Sequence, residues 1–435
     1  MKESSKGLVR TIGRGSLTAL MINSIIGAGI FKLPANLAQR LGGWSPLSCV
    51  AAGAGILVIA ACIAEVSSRY DETGGLYLYA RDALGHFPGL LVAWMTWLTR
   101  IAAPAAAANL VWSYAAKFYP GLETTAAKFL VLLVLLGHLA VLNCLGVKMG
   151  TKVSNVFTAV KVSFLLAFVL AGGWALVARP EVHVQVSLPT ASAANWLQAM
   201  LLLVYAYGGF EGALFVGGES TNPKRDTPIA LLSALVVVCL IYTAVQYVTI
   251  ATLPGAGLSE RPLADAAQHF AGPVGSAAIA LAAVVSGYGY LSANMLHAPR
   301  ITFALAEQGD FPSFLGAVHP KYRTPYVSIV VYAALLFAFS MIGNFEWNAL
   351  LSAVSRLAVY AAMALSVPIL RRRKDGKAQF RLPAAYLFAG FGVLFSLVLA
   401  TQMGRSEFAV LGVTLAIALA NWFAVRNRAA TELRG

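Results

Sequence analysis

Charge is scarce in this chain. Asp, Glu, Lys and Arg together make up 11% of its 435 residues, against about a quarter in soluble domains, too few to cover the surface of a water-soluble fold of this length. Cysteine is scarcer still: Cys49, Cys62, Cys144 and Cys239 stand at no metal-like spacing, which argues against a zinc module or a disulfide scaffold. The six histidines, His86, His138, His183, His269, His297 and His319, show no ligand spacing either, so no metal and no cofactor is expected. There is no Gly-x-x-x-x-Gly-Lys-Ser/Thr loop, which makes a nucleotide-driven engine in this chain improbable. No nucleophile–base or metal constellation converges, which argues against an intramembrane enzyme. Low-complexity stretches are absent, and the longest hydrophilic connections are short loops near 178–195 and 301–324.

What the chain does have is apolar length. It is 59% hydrophobic with a mean hydropathy of +0.73, and apolar runs of a membrane-spanning length recur from end to end. The composition is that of an all-α polytopic membrane protein. Run lengths give twelve transmembrane helices, near 16–41, 46–68, 88–116, 127–146, 153–177, 195–218, 228–252, 269–300, 325–343, 347–370, 382–402 and 407–425. All four cysteines fall inside these spans and read as buried free thiols. The first run is too long for a signal peptide and lacks a small-residue cleavage pattern, so it reads as a retained span. No appended soluble domain is expected. Trp94, Trp97, Trp112, Trp196 and Trp347 read mostly as packing or interfacial anchors.

The formal net charge is +14, and its distribution decides what it means. With the N-terminus inside, cytoplasmic segments hold 22 of the 32 basic residues, including Arg14, Arg69, Arg81, Lys224, Arg300 and the Arg371-Arg372-Arg373-Lys374 cluster. External loops hold Arg40, Lys117, Lys128, Arg179, Arg261 and Arg405. This asymmetry places both termini in the cytoplasm. The basic charge thus reports topology and attraction to an anionic lipid bilayer rather than nucleic-acid binding.

Two spans are interrupted by glycine at mid-membrane: Asn23-Ser24-Ile25-Ile26-Gly27-Ala28-Gly29-Ile30-Phe31 in the first and Tyr205-Ala206-Tyr207-Gly208-Gly209-Phe210-Glu211 in the sixth. Unpaired peptide groups in hydrocarbon cost several kcal/mol each, so something polar must meet the freed backbone. The breaks open two sets of five spans. Five is odd, so the second set starts from the opposite side of the membrane and the repeat is inverted. The organisation read from this is a tail at 1–15, a first repeat at 16–177, a second at 195–370, two further helices at 382–425 with a packing or oligomer-interface role, and a tail at 426–435.

A helix broken in this way exposes carbonyls at the end of one half and amides at the start of the next, with half-dipoles of opposite sign, a combination suited to a zwitterion. Amides from Gly27 through Ala28 and Gly29 to Ile30 can receive a carboxylate. Carbonyls near Ile25 and from Tyr205 to Tyr207 can receive an ammonium, and Gly27, Gly29, Gly208 and Gly209 let the backbone approach it without a Cβ in the way. The alternative is that these glycines serve tight helix packing; the matched pair at repeat-related positions favours the site.

These residues resemble the amino acid-polyamine-organocation permeases over essentially the whole chain. Ile25-Ile26-Gly27-Ala28-Gly29-Ile30-Phe31 is similar to that family's first-helix motif. Ala64-Glu65 with Gly74-Gly75, Tyr77, Tyr79 and Gly85 resembles its signature between spans two and three. Tyr207-Gly208-Gly209-Phe210-Glu211 followed by Gly218-Glu219-Ser220-Thr221-Asn222-Pro223-Lys224-Arg225 resembles the unwound sixth helix and the loop after it. Arg300, Ala304, Ala306 and Gly309-Asp310-Phe311-Pro312, with Thr324-Pro325, match the pattern after span eight. The resemblance implies a leucine-transporter fold of five-plus-five inverted repeats. It also implies an α-carboxylate held by the first unwound segment, an α-amino group held by carbonyls of both, and an aromatic, here Tyr205, closing over the substrate.

Charges at membrane depth are few. Lys161 lies about 12 Å beyond Val153 at 1.5 Å per residue, too deep for its stem to snorkel easily, and intramembrane ionisable residues default to function; a packing residue capped by carbonyls or an ion pair is the other reading. By resemblance its ammonium occupies the space used by sodium in sodium-coupled relatives, so sodium dependence is not expected. A desolvated lysine can release and rebind a proton, which makes proton coupling reasonable, while exchangers in the family carry a lysine here too. Glu211 can contact the substrate amino group, relay a proton or hold nearby amides. Arg100, Arg356 and Lys32 read as structurally paired, and Arg100 near Pro104 resembles a third-span pattern in one exchanger branch. Glu65 and Glu219 suit either an inner gate or ordinary capping. Tyr288 and Tyr290 are weaker candidates to line the pocket.

The expected function is a sodium-independent secondary transporter of amino acids in the plasma membrane, working by alternating access, proton-coupled or exchanging. A sensor built on a transporter scaffold, and a carrier of polyamines or other organic amines, stand as alternatives.

Overall fold

The computed structural model describes residues 13–70, 75–146, 151–214, 220, 222–307, 309–373 and 378–432. Of the sequence readings above, Gly74, Gly218, Glu219, Thr221 and Lys374 lie outside these residues. The described residues form fifteen α-helices joined by turns and short 3-10 segments, with no strand among them. Peptide groups in apolar surroundings must pair within their own segment, and the helix does that without a partner.

In chain order the helices are α1 (Arg14–Ile25), α2 (Leu33–Leu41), α3 (Ser45–Ser67), α4 (Gly75–Leu84), α5 (His86–Ala115), α6 (Thr125–Cys144), α7 (Thr151–Ala178), α8 (Ala193–Tyr207), α9 (Phe210–Leu214), α10 (Pro223–Thr252), α11 (Pro262–Glu307), α12 (Tyr326–Ile342), α13 (Phe345–Arg372), α14 (Ala385–Ala400) and α15 (Arg405–Glu432). Eight described helical stretches are long and apolar enough to cross a membrane, with α12 and α14 as shorter apolar helices. This is a polytopic membrane protein.

Helix starts follow from local chemistry. Thr124, Ser192 and Asn344 each accept a backbone N–H three residues on, capping α6, α8 and α13. Three stretches differ from the sequence reading. The connection after α3 contains a helix of its own, α4, separated from α5 by Gly85 at φ +101. α11 is two helical legs joined by a kink, because Gly272, at φ 67 and ψ −166 ahead of Pro273, leaves helical space; the leg before it lies largely ahead of the expected span. α15 continues through Glu432, where a tail was expected from 426; no Gly or Pro stands between Ala424 and Glu432 to stop it.

Burial separates a centre from a rim. In α5 and α13, 78% and 72% of the most apolar window is buried, against 17% in α6 and in α15. Ala102, Ala103 and Ala105 to Ala108 of α5 are buried at close helix approaches, where small side chains let backbones come near. Leu130, Val134 and Val141 of α6 and Phe408, Val413 and Phe423 of α15 are exposed, as suits helices facing lipid. α10 packs against α1 and α3, and α3 and α8 pack against each other and against α13; both helix breaks lie within this packed region.

Candidate functional site

α1 stops at Ile25 because Ile26, at φ −69 and ψ 88, leaves helical space, and the chain resumes as a 3-10 turn at Gly29–Phe31 before α2. α8 stops at Tyr207; Gly208 is extended and Gly209 has φ +114, a conformation that favours glycine, before the short α9. The two breaks touch. A Cβ on Gly209 would run into the Ser24 carbonyl oxygen, and one on Gly29 would lie 2.7 Å from the Tyr205 ring. Between them sits Tyr242 of α10, fully buried, its hydroxyl 3.2 Å from both the Ile25 and the Ala206 carbonyl oxygens. One O–H thus serves the ends of both broken helices.

At the first break, the buried ammonium of Lys161 donates to the carbonyls of Asn23 at 2.6 Å and Ile26 at 2.5 Å. These are oxygens the end of α1 leaves without helical partners, at the negative end of its dipole. The amides of Gly27 and Ala28 donate to no other group among the described residues. Gly27 faces Tyr290 of α11, whose ring would lie 3.7 Å from an added Cβ.

The second break is held by side chains. Glu211 accepts from the Gly209 amide at 2.6 Å, from the Tyr360 hydroxyl at 2.5 Å and from Arg356 Nε at 3.0 Å. Arg356 also donates to the Tyr205 carbonyl and the Ser352 hydroxyl, each at 3.3 Å. A Cβ on Gly208 would overlap this guanidinium. A buried carboxylate and guanidinium are tolerable together because each satisfies the other and the remaining donors reach backbone and hydroxyl oxygens.

Ile25, Gly27, Ala28, Gly29, Ile30 and Lys161 therefore surround the first break, and Tyr205, Gly208, Gly209 and Glu211 the second. Tyr207 differs: its hydroxyl donates to the Cys49 carbonyl at 2.8 Å, which commits its side chain to α3. The Tyr205 ring meets Phe345 of α13 edge-on at 5.8 Å. Tyr242 and Tyr360 were not singled out from the sequence; a tyrosine in an apolar run carries no local mark of which carbonyl or carboxylate it will meet.

Ion pairs close both ends of the bundle. Lys32 pairs with Glu260, and Arg40 pairs with Glu346, which also accepts from Asn36 at 2.6 Å and so ties α2 to α13. At the other end, Glu65 takes a two-point contact from Arg371 at 2.6 and 2.7 Å and the Leu382 amide at 2.9 Å. Asp310 there is buried against Tyr77, with His86 at 2.9 Å and Arg81 at 3.3 Å. Tyr288 stacks on His138 of α6, with its hydroxyl 3.1 Å from the imidazole Nε2. Among the described residues, no group of three His, Cys, Asp or Glu side chains is placed to hold a metal ion.

Two glycine-broken helices meeting at depth under a lysine is an arrangement that a sequence comparison can test, and the amino acid permease family matches residues 12–424. The chain belongs to the amino acid permease family. It is a permease, not an enzyme. This permease is 28% identical to a serine/threonine exchanger of Bacillus subtilis, SteT, over 87% of each chain. It is 28% identical to the methylthioribose transporter of the same organism, covering 88% of the permease and 86% of the relative. It is 27% identical to the branched-chain amino acid permease BcaP, also of Bacillus subtilis, covering 92% and 89%.

Proposed function

We propose that this permease is a sodium-independent secondary transporter of amino acids across the plasma membrane, working by alternating access and either coupled to protons or exchanging. The observation that carries this reading is the contact of the two breaks, where Tyr242 spans carbonyls of both. An α-carboxylate is received by the free amides of Gly27 and Ala28 with Gly29 and Ile30 beside them. An α-ammonium is received by the carbonyls around Ile25 and from Tyr205 to Tyr207, with Glu211 close by and Tyr205 closing over the ligand. Lys161 stands where a sodium ion would otherwise gather the carbonyls of α1, and its ammonium makes that ion unnecessary.

The architecture that goes with this function has twelve spans. The first repeat, 16–177, runs from α1 with α2 through α7, and the second, inverted, 195–370, from α8 with α9 through α13. α14 and α15 at 382–425 are additional, and both termini are cytoplasmic. Lys161 is the eleventh residue of α7 and Arg356 the twelfth of α13, helices of 28 residues each. Each supplies the cation for the break that opens its own set, which supports the repeat. The relatives named for serine/threonine exchange and for branched-chain amino acids support the substrate class.

Reconstitution into liposomes tests the proposal. Saturable uptake of labelled amino acids, unchanged when sodium is replaced by choline and driven by a proton gradient or by an internal amino acid, is expected. Binding without flux would instead make the protein a sensor, and strict sodium dependence would remove the assigned role of Lys161.

A further inference from the structure

We infer that Arg100 and Thr96 form a subsite for an anionic side chain, so that the permease accepts acidic amino acids. This rests on the transport reading above and adds a substrate class to it. Arg100 lies near the middle of α5, a helix from the buried centre of the bundle. A guanidinium at such depth calls for a counter-charge. Its own makes no hydrogen bond or ion pair among the described residues. Glu211 is the acid that faces it, and Glu211 already serves Arg356, Tyr360 and the Gly209 amide.

The space in front of Arg100 is built to admit a group. Thr96, Arg100, Glu211 and Arg356, closed off by Leu76 and Val359, line a cavity of about 20 Å³, room for a single water. The Thr96 hydroxyl is buried there with no hydrogen-bond partner, a donor held ready at a cost unless something accepts from it. Gly212 lets the guanidinium lie against α9: a Cβ at that position would stand 3.2 Å from Arg100 Nη2.

Charge selects the class of ligand. Two guanidiniums face one carboxylate, leaving one positive charge uncompensated in a poorly solvated place. A second carboxylate neutralises it through charge-assisted hydrogen bonds from Arg100 and a hydroxyl bond from Thr96. A cationic side chain meets two like charges and is rejected. The cavity borders the second break: Glu211, which lines it beside Arg100, also accepts from the Gly209 amide. An aspartate or glutamate held by its α-groups at the breaks would point its side-chain carboxylate toward this neighbouring space. Its carboxylate displaces the water-sized volume while Leu76 of α4 and Val359 of α13 yield.

The experiment is competition in proteoliposomes, with radiolabelled L-glutamate, L-serine and L-arginine as probes, on wild type, Arg100→Gln, Arg100→Lys and Thr96→Val, each first shown monodisperse in detergent. Wild type is expected to take up glutamate saturably and to exclude arginine. Arg100→Gln is expected to lower the ratio of glutamate to serine specificity constants at least tenfold, Arg100→Lys to restore part of it, and Thr96→Val to lower it a few-fold. Serine flux that glutamate neither joins nor inhibits, or a ratio unmoved by Arg100→Gln, overturns the subsite and leaves the transport reading standing. Absence of saturable flux for every amino acid overturns both.

Discussion

Both broken helices expose backbone at membrane depth, yet they are held in different ways. At the first, one ammonium, that of Lys161, rests on two carbonyls of α1, with no carboxylate within ion-pair distance among the described residues. At the second, Arg356 and Glu211 neutralise each other and anchor the break through Tyr360, Ser352 and the Tyr205 carbonyl. The difference follows from the side chains. A guanidinium presents five donors in a rigid fork and needs several acceptors, whereas a compact ammonium is served by a few peptide oxygens. The second break is therefore locked by side chains packed from α13. The first is held through its own backbone, by one ammonium resting on two carbonyls.

The sharpest way to break this contrast is to remove the lock. Arg356→Ala leaves Glu211 charged and buried, and a loss of about 3–5 kcal/mol is expected, read as a lower unfolding temperature of the purified permease in detergent. The double variant Arg356→Met with Glu211→Gln should recover only part of it, because Arg100 then faces no carboxylate. A single variant that melts with the wild type would show that the pair does not hold the break.

Gly209→Val tests the contact between the breaks. The new side chain needs an unfavourable φ and meets the Ser24 carbonyl, so amino-acid affinity should fall about 100-fold, equivalent to about 2.8 kcal/mol. Isothermal titration of a transported amino acid checks this, and undiminished affinity contradicts the pocket.

Lys161→Ala addresses the first break directly. The protein should stay folded while flux drops at least tenfold, because the carbonyls of Asn23 and Ile26 lose their shared donor. Uptake assays across a pH series decide it: normal flux with the wild-type pH profile ends the role given to Lys161. The smallest effect belongs to Tyr242→Phe, which removes one hydroxyl shared between the halves and should cost about 1 kcal/mol, with a few-fold change in affinity and no change in sodium dependence.

Much of this was legible in the chain. Apolar run length set where most helices lie, because 1.5 Å of rise per residue leaves little choice in how many residues cross a bilayer. The glycines marked where two helices stop. Lys161 announced itself by depth alone. Less legible were α4, whose ten residues lie in a connection rather than in a long apolar run, and the leg of α11 before Gly272, which reads as loop because the turn and the helix share the same residues. Tyr242, Tyr360 and the pairing of Arg356 with Glu211 across 145 residues had no signature at all.

By itself the sequence determined the medium, the helical class, the two breaks and the scarcity of charge. These depend on local composition and on the cost of an unpaired peptide group, which are the same wherever the segment ends up. Only the tertiary structure decided which cation serves which break, that Tyr207 turns to α3 while Tyr205 stays at the break, and that Arg100 is left facing a cavity with an orphan hydroxyl. Those outcomes depend on which helices lie side by side. Pairing energies at depth are set by distances of a few ångströms between residues far apart in the chain.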